Sequence, residues 1–572
     1  MTSFASVFRS VGDMWRHRVG STPDSEAWWA RERDTWSRIT WRQADRQVRE
    51  IAHGLLAQGI RPGDRVAIVS ATRCEWLLAD LAIGAVGAAT TAVFPTTGPD
   101  ELAFVLQDAA VSAVFCDTTD RLASIRAMRD RIPTVQRVFA FEGGVAPDGW
   151  SSGIAVLQAA GREAEYRAPT ALDDAISAIT PDALASLIYT SGTTGRPKGV
   201  MHDHDAWIYE AEAIESLGLV TPADRHFLFL PLAHVFARVL AVTAIRMGIP
   251  TAIDPDPNRF QTTVREVRPT FFAGVPLVFE KIADRLRERS GTARWALERT
   301  PADGLRGRLH RWAVGRAVGG PLREALGGRV RFAISGAAPL APSVGQMLAA
   351  AGLPILEGYG LTESGAASCV NRLDDWRIGS VGPPLPGCDL RLADDGEILL
   401  KSRGVMRGYW GRPAETAEVL GMDGWLATGD LGEIDRGHLR ITGRKKDLIV
   451  TSGGKKVAPR VVEAEIERSP LVQQAVLVGE GRPYCVALLA LEPSALAGRS
   501  PFEPSVSAEL AAAVRTANRA LAPWETVKRF AALPEAPSEA AGTLTPSGKV
   551  RRHVVASRYA ALIDSLYQPG TG

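Results

Sequence analysis

Short apolar runs alternate with helical stretches over roughly the first 370 residues of this 572-residue chain, and that rhythm limits its fold more than any other feature. Residues 44–56 carry apolar side chains at helical spacing, Arg61-Pro62-Gly63-Asp64 is a turn, and Val66-Ala67-Ile68-Val69 reads as a buried strand. Residues 77–87 then read as a helix and 89–94 as a strand. Strands that alternate with helices pair in parallel, because each crossover helix returns the chain to the same end of the sheet. An α/β fold with a mostly parallel sheet is expected. From 389 to 448 the pattern changes to short strands and glycine turns, such as Asp394-Asp395-Gly396 before Glu397-Ile398-Leu399-Leu400, which predicts a small antiparallel β unit. Past residue 446 a separate module is expected, with helices at 461–467 and 509–521 and strands at 475–478 and 486–491.

Charge excludes one class of partner. Sixty-six Lys and Arg against 64 Asp and Glu leave +2, so no overall field gathers nucleic acid. Cys74, Cys116, Cys369, Cys388 and Cys485 form no C-x-x-C pair, and an odd, sparse set suits a reducing compartment. The first 25 residues hold no apolar core of a secretory signal. The apolar run 81–94 is shorter than the ~20 residues of a bilayer span, and the run 332–356 is broken by Pro339, Pro342, Gln346 and Pro354. A cytoplasmic protein is expected.

The chemistry concentrates in Leu187-Ile188-Tyr189-Thr190-Ser191-Gly192-Thr193-Thr194-Gly195-Arg196-Pro197-Lys198-Gly199-Val200. An apolar strand ends in a loop dense in hydroxyls and glycines, carries one lysine, and is followed by a helical pattern. Glycines let backbone N–H groups approach an anion, hydroxyls add donors, and lysine supplies charge. This is phosphate-binding chemistry. No Gly-Lys-Ser/Thr closes the loop, so it is not a Walker A motif.

This string resembles the phosphate loop of the adenylate-forming superfamily, which includes acyl-CoA synthetases, nonribosomal peptide adenylation domains and firefly luciferase. Further blocks follow in that family's order: Leu230-Pro231-Leu232-Ala233-His234-Val235-Phe236, Gly336-Ala337-Ala338-Pro339-Leu340, Glu357-Gly358-Tyr359-Gly360-Leu361-Thr362-Glu363, Thr428-Gly429-Asp430, Gly443-Arg444-Lys445-Lys446-Asp447 and Pro546-Ser547-Gly548-Lys549. The likeness spans about residues 40–555 and is nearest to long-chain fatty acyl-CoA ligases.

The resemblance implies an N-terminal adenylation domain, 1–445, built of α/β sheets with a small β-barrel subdomain at about 375–445. A hinge at Lys446 would join it to a small, mobile α+β lid, 446–572. The implied reaction joins a long-chain fatty acid to coenzyme A through an acyl-adenylate, consuming ATP with Mg²⁺ and releasing AMP and pyrophosphate. Thr190, Ser191, Gly192, Thr193, Thr194, Gly195 and Lys198 would cradle the phosphates. Glu363, with Thr190, would hold Mg²⁺, and Thr362 would bond the α-phosphate. Tyr359 would meet adenine, with Gly336, Ala337, Ala338, Glu357, Gly358 and Gly360 around the nucleotide. Asp430 would clamp the ribose, assisted by Arg444, and Lys549 would neutralise the transition state. Gly453 and Gly454 resemble the segment lining the pantetheine path. Singly, each has a plainer reading: Asp430 a turn acid, Tyr359 a core aromatic, Glu363 a helix-start residue, the glycine pair a hairpin turn.

Gly360 stands where acetyl-CoA synthetases close the acyl pocket with tryptophan, which implies an open wall and room for a long tail. His234 would then sit near the carboxylate, its plain alternative being a bonded core histidine. Ala237, Leu277 and Lys456 depart from close long-chain relatives. The rival readings are a fatty acyl-AMP ligase that loads a carrier protein, a medium-chain or aromatic acyl-CoA ligase, and a catalytically silent binding paralogue. Residues 281–331 hold 13 Lys and Arg against five Asp and Glu. That segment is a candidate surface for anionic lipid, with solvated helix faces as the alternative. Homodimers occur in the family, so a dimer is open by analogy.

Overall fold

In a computed structural model the described residues are 6–32, 35–145, 147–190, 196–289, 319–538, 541–544 and 550–568. The chain divides into two units, Met1–Arg391 with Leu399–Thr428, and Leu392–Ile398 with Gly429–Gly572.

The first unit turns the strand–helix rhythm into two eight-stranded sheets. Arg65–Val69 and Ala89–Val93 lie at the centre of one, where they pair in parallel with each other and with Ala113–Cys116 and Leu184–Thr190. The other is built on parallel His226–Leu228, Thr251–Ile253, Phe271–Gly274, Phe332–Ser335 and Ile355–Tyr359. Antiparallel strands are confined to the margins: Lys198–Asp203 and Gly408–Tyr409 in the first sheet, Thr35–Thr40 and Cys369–Val370 in the second. Central strands are buried on both faces, so they read as unbroken apolar runs and not as alternation. One apolar cluster holds residues of both sheets (Ile68 and Ile188, Leu228 and Ile253) with the helices Trp41–Ala57, Cys74–Ala85, His204–Ser216 and Val235–Met247. Those helices are the layer that joins the sheets.

One local expectation needs correcting. The helical pattern does not begin directly after Val200: Lys198–Asp203 is a strand that pairs antiparallel with Leu184–Thr190, and the helix starts only at His204. Its cap is Asp203, whose Oδ1 accepts from the Ala206 N–H at 2.8 Å. Met201-His202-Asp203 looks like a helix surface in sequence. Pairing buries Val200 and His202 on one face of the sheet instead, and tertiary context overrides the local pattern.

In the second unit Val472–Val478, Cys485–Leu491 and Val527–Ala532 form a three-stranded sheet. Along its middle strand Cys485, Ala487, Leu489 and Leu491 face the helices Pro459–Ile466 and Pro504–Asn518. Val486, Leu488 and Ala490 pack on the opposite side with Val555 and Ile563. The helix expected at 509–521 runs from Pro504 to Asn518, with Leu510, Val514 and Ala517 buried.

Among the described residues no helix is long and apolar enough to cross a membrane. Most of the basic segment, 290–318, lies outside them.

Candidate active site

The return strand Lys198–Asp203 places the lysine of the phosphate-loop string opposite Thr190, its register partner in the hairpin. Ser191, Gly192, Thr193, Thr194 and Gly195, between them, lie outside the described residues, as does Lys549. The Lys198 Nζ stands 4.9 Å from the ring centroid of Tyr409, on the short strand paired with Lys198–Asp203. A cation over a tyrosine face gains about 0.5–2 kcal/mol, depending on its desolvation. The Tyr409 hydroxyl donates to Glu363 Oε1 at 2.9 Å. Burial, and then the neighbouring Glu363 charge, raise the Tyr409 pKa and keep the phenol protonated as a donor. One tyrosine therefore carries the lysine on its face and the carboxylate on its hydroxyl.

Glu363 sits in a single turn, Thr362–Ser364. The Met406 N–H donates to its carbonyl at 2.9 Å. Beneath the turn, His202 Nε2 is 2.7 Å from the Thr362 carbonyl oxygen, which can only accept, so this nitrogen carries the proton. Tyr409 and His202 both escape sequence reading. Tyr409 resembles any aromatic after a glycine, and His202 lies in the polar run mistaken for a helix start.

The Glu357-Gly358-Tyr359 block is the end of the strand Ile355–Tyr359. Glu357 is 8% exposed, and burial raises its pKa to about 7, against the N–H groups of Gly379 and Leu340 that favour its charge. Gly360 is explained by backbone crowding: a Cβ there would come within 2.0 Å of the Ala366 carbonyl oxygen. In this backbone the crowding by itself accounts for glycine at 360, so its presence is explained without an open acyl wall.

Gly336, Ala337 and Ala338 follow the strand Phe332–Ser335, and Ala337 takes φ +69°, a left-handed value costly for a side-chain-bearing residue. A Cβ at Gly336 would meet the Phe236 ring at 3.1 Å. Two residues before that phenylalanine, His234 caps the helix Val235–Met247, its Nδ1 accepting from the Phe236 N–H at 3.1 Å. The proton of the neutral ring is thereby assigned to Nε2.

In the second unit the hairpin of Leu426–Asp435 and His438–Arg444 sets Asp430 directly opposite Arg444. Arg444 Nε lies 2.8 Å from Asp430 Oδ1, and the Asp430 side chain is 5% exposed. Next to it, Lys445 Nζ bridges Asp395 and Glu397, each at 2.7 Å, and the Gly429 N–H donates to Glu397 at 2.9 Å. The two carboxylates raise the Lys445 pKa to about 12. Lys446 is exposed in the turn that follows. Gly453 and Gly454 turn a short hairpin between Ile449–Val450 and Lys456–Val457, where Gly454 needs its φ of +72°. A hairpin turn is reason enough for glycine at 454.

Fold and block order together define an adenylate-forming enzyme. The chain belongs to the AMP-binding enzyme family, matched over residues 15–410, with the AMP-binding enzyme C-terminal domain matched over 446–570. It is 36% identical to the long-chain-fatty-acid–CoA ligase FadD15 of Mycobacterium bovis, over 93% of this chain and 92% of that one. It is 29% identical to the long-chain-fatty-acid–CoA ligase ACSBG1 of Mus musculus, over 94% of this chain and 83% of that one. The crystal structure of the anthranilate CoA ligase AuaEII with anthranoyl-AMP has the same fold, with a TM-score of 0.76, 22% identity and 99% of each chain covered.

Proposed function

We propose that this protein is an ATP- and Mg²⁺-dependent long-chain fatty acid–CoA ligase. The fatty carboxylate attacks the α-phosphorus of ATP, and pyrophosphate leaves as the acyl–phosphate bond forms. The CoA thiolate then attacks the acyl carbonyl, and AMP leaves. The first step sets anion against polyanion, so the barrier falls mainly through positioning and charge neutralisation.

The observation that carries this reading is the Lys198–Tyr409–Glu363 arrangement beside Thr190. A cation suited to phosphate oxygens and a carboxylate suited to a metal are held on one buried tyrosine. The names of relatives 36% and 29% identical along nearly the whole chain support fatty acids and CoA as substrates.

The residues suit Mg²⁺. Among the described residues no group of three or more His, Cys, Asp or Glu is arranged to hold an ion. Mg²⁺ takes one or two carboxylates and completes its shell with phosphate oxygens and water, so Glu363 with Thr190 is an adequate protein share. When bound, the ion neutralises phosphate charge. Asp430, steadied by Arg444, accepts from the ribose hydroxyls, Thr362 bonds the α-phosphate, and Tyr359 meets adenine. Lys549 neutralises the attacking carboxylate and the α-phosphate together. Lys446 is the hinge on which the 446–572 module reorients for the thiol step, and the turn at Gly453 and Gly454 borders the pantetheine.

The test supplies ATP, Mg²⁺ and acids of two to eighteen carbons, with and without CoA. Acyl-CoA from the long acids is expected. Acyl-adenylate that accumulates and ignores CoA, or turnover confined to short or aromatic acids, overturns the reading.

A further inference from the structure

Two fully buried polar side chains sit beneath the Thr362–Glu363 turn, and the mechanism above uses neither. His202 lies on the strand Lys198–Asp203 and is 1% exposed, and Glu210 lies on the helix His204–Ser216 and is 0% exposed. Resting on the roles proposed for Thr362 and Glu363, we infer that His202 and Glu210 are positioning residues that clamp this turn, one at its start and the other just beyond it. His202 Nε2 donates to the Thr362 carbonyl at 2.7 Å, where the turn begins. The Ala367 N–H donates to Glu210 Oε2 at 3.2 Å, three residues past its end.

Between those anchors the backbone is in a state that does not persist unaided. Gly365 has φ +92° and Ala366, a residue with a side chain, has φ +119°. Conformations of that kind survive where the surroundings over-determine them. Here the surroundings are tight. A Cβ on either Gly365 or Gly404 would lie 2.7 Å from Glu210 Oε1, so the carboxyl is wedged between two backbones that only glycine can supply.

A filler for this space would be apolar, because burying an imidazole and a carboxyl is unfavourable unless hydrogen bonds offset it. Among the described residues neither His202 Nδ1 nor Glu210 Oε1, both buried, has a hydrogen-bond partner. What both obtain is a bond to the backbone of the segment 362–367, which begins with the turn that carries Thr362 and Glu363. Burial favours their neutral forms, lowering the His202 pKa to about 4 and raising that of Glu210 well above the carboxylate range. A neutral clamp adds no charge beside the phosphates or the metal. His202 is also on the strand that starts with Lys198, so one strand sets both the cation and the Thr362 carbonyl.

The test measures Mg·ATP binding by calorimetry in the full-length wild type and in four variants: His202→Phe and Glu210→Met, which keep bulk, and His202→Gln and Glu210→Gln, which keep a donor or acceptor. We expect at least about tenfold weaker binding in the Phe and Met variants and binding within about twofold of wild type in both Gln variants. Thioester formation from supplied acyl-adenylate, which keeps the α-phosphate met by Thr362 but does not call on Glu363, should fall clearly less than Mg·ATP binding in the Phe and Met variants and stay within about twofold of wild type in both Gln variants. Phe and Met variants that bind like wild type, Gln variants that fail as badly, or a thiol step that falls in parallel each overturn the clamp. If a variant does not fold, hydrogen exchange in the wild type decides. Slow exchange at the Ala367 amide without ligand supports the clamp, and loop-like exchange overturns it. A wild type that binds Mg·ATP but makes no acyl-CoA defeats the functional reading alone, and the binding comparison still decides the clamp.

Discussion

Burial pushes the Glu357 carboxyl up to about 7, because it penalises the charge more than the two donated N–H groups favour it. A carboxyl whose folded-state pKa is raised holds its proton more tightly in the native state than in the unfolded one. Its contribution is therefore most favourable below the unfolded pKa of about 4.3 and declines as pH rises to about 7, by on the order of 3 kcal/mol. Paired thermal scans of wild type and Glu357→Gln between pH 5 and pH 8 isolate this term, since other titrating groups cancel. The wild-type midpoint is expected to fall relative to that of the variant as pH rises, and parallel curves reject the assignment. At this scale legibility followed chemistry. Thr190 and Lys198 stood out because hydroxyls and glycines in one loop with a single lysine are rarely assembled for packing, and Glu363 stood out through the resemblance of its block to that of the adenylate-forming family. Tyr409 and His202 did not, because their importance comes from partners more than 150 residues away, Lys198 and Thr362.

Among the secondary-structure elements, glycines with the same sequence appearance have opposite meanings. The helices Trp41–Ala57 and Ile154–Arg167 cross at two of them. A Cβ on Gly161 would lie 1.8 Å from the Glu50 carbonyl oxygen, and one on Gly54 would lie 2.5 Å from that of Leu157. Backbone cannot rotate away as a side chain can, so the helices would have to separate. Alanine has a helix propensity about 1 kcal/mol better than glycine, but overpacking costs about 1–3 kcal/mol and wins at so close a contact. Gly20, in the helix Val11–Ser21, has nothing within 4 Å of its would-be Cβ, so only the propensity acts there. Denaturant unfolding should show Gly161→Ala destabilised by about 1–2 kcal/mol and Gly20→Ala stabilised by up to about 1 kcal/mol. Equal shifts would refute the crossing argument. Gly360 teaches the same lesson at the site, since the Ala366 oxygen that demands glycine there cannot be seen from sequence. The strand at 198–203 was missed for a related reason: period and polarity are local, whereas strand pairing is not.

Across the whole molecule, the proposed chemistry draws on side chains of both units: Thr190, Lys198 and Glu363 belong to the first, Asp430, Arg444 and Lys446 to the second. Two half-reactions with different needs make such a division testable. Adenylation brings a carboxylate to a triphosphate and requires a cation at the α-phosphorus. Thioester formation starts from a mixed anhydride that is already activated, and it requires access for a thiol and exclusion of water. In the proposed mechanism Lys549 answers the first need only. Lys549→Ala is therefore expected to lower fatty-acid-dependent ATP–pyrophosphate exchange by at least about a thousandfold, an amount like that lost with one transition-state donor or more. Release of CoA thioester from supplied acyl-adenylate should stay within a few-fold of wild type, because the mixed anhydride is already activated and no carboxylate has to be brought against a triphosphate. A loss of both half-reactions together would make Lys549 a structural residue. Normal pyrophosphate exchange in the variant would move the adenylation cation elsewhere, with Lys198, already held on Tyr409 beside Glu363, as the group to replace next.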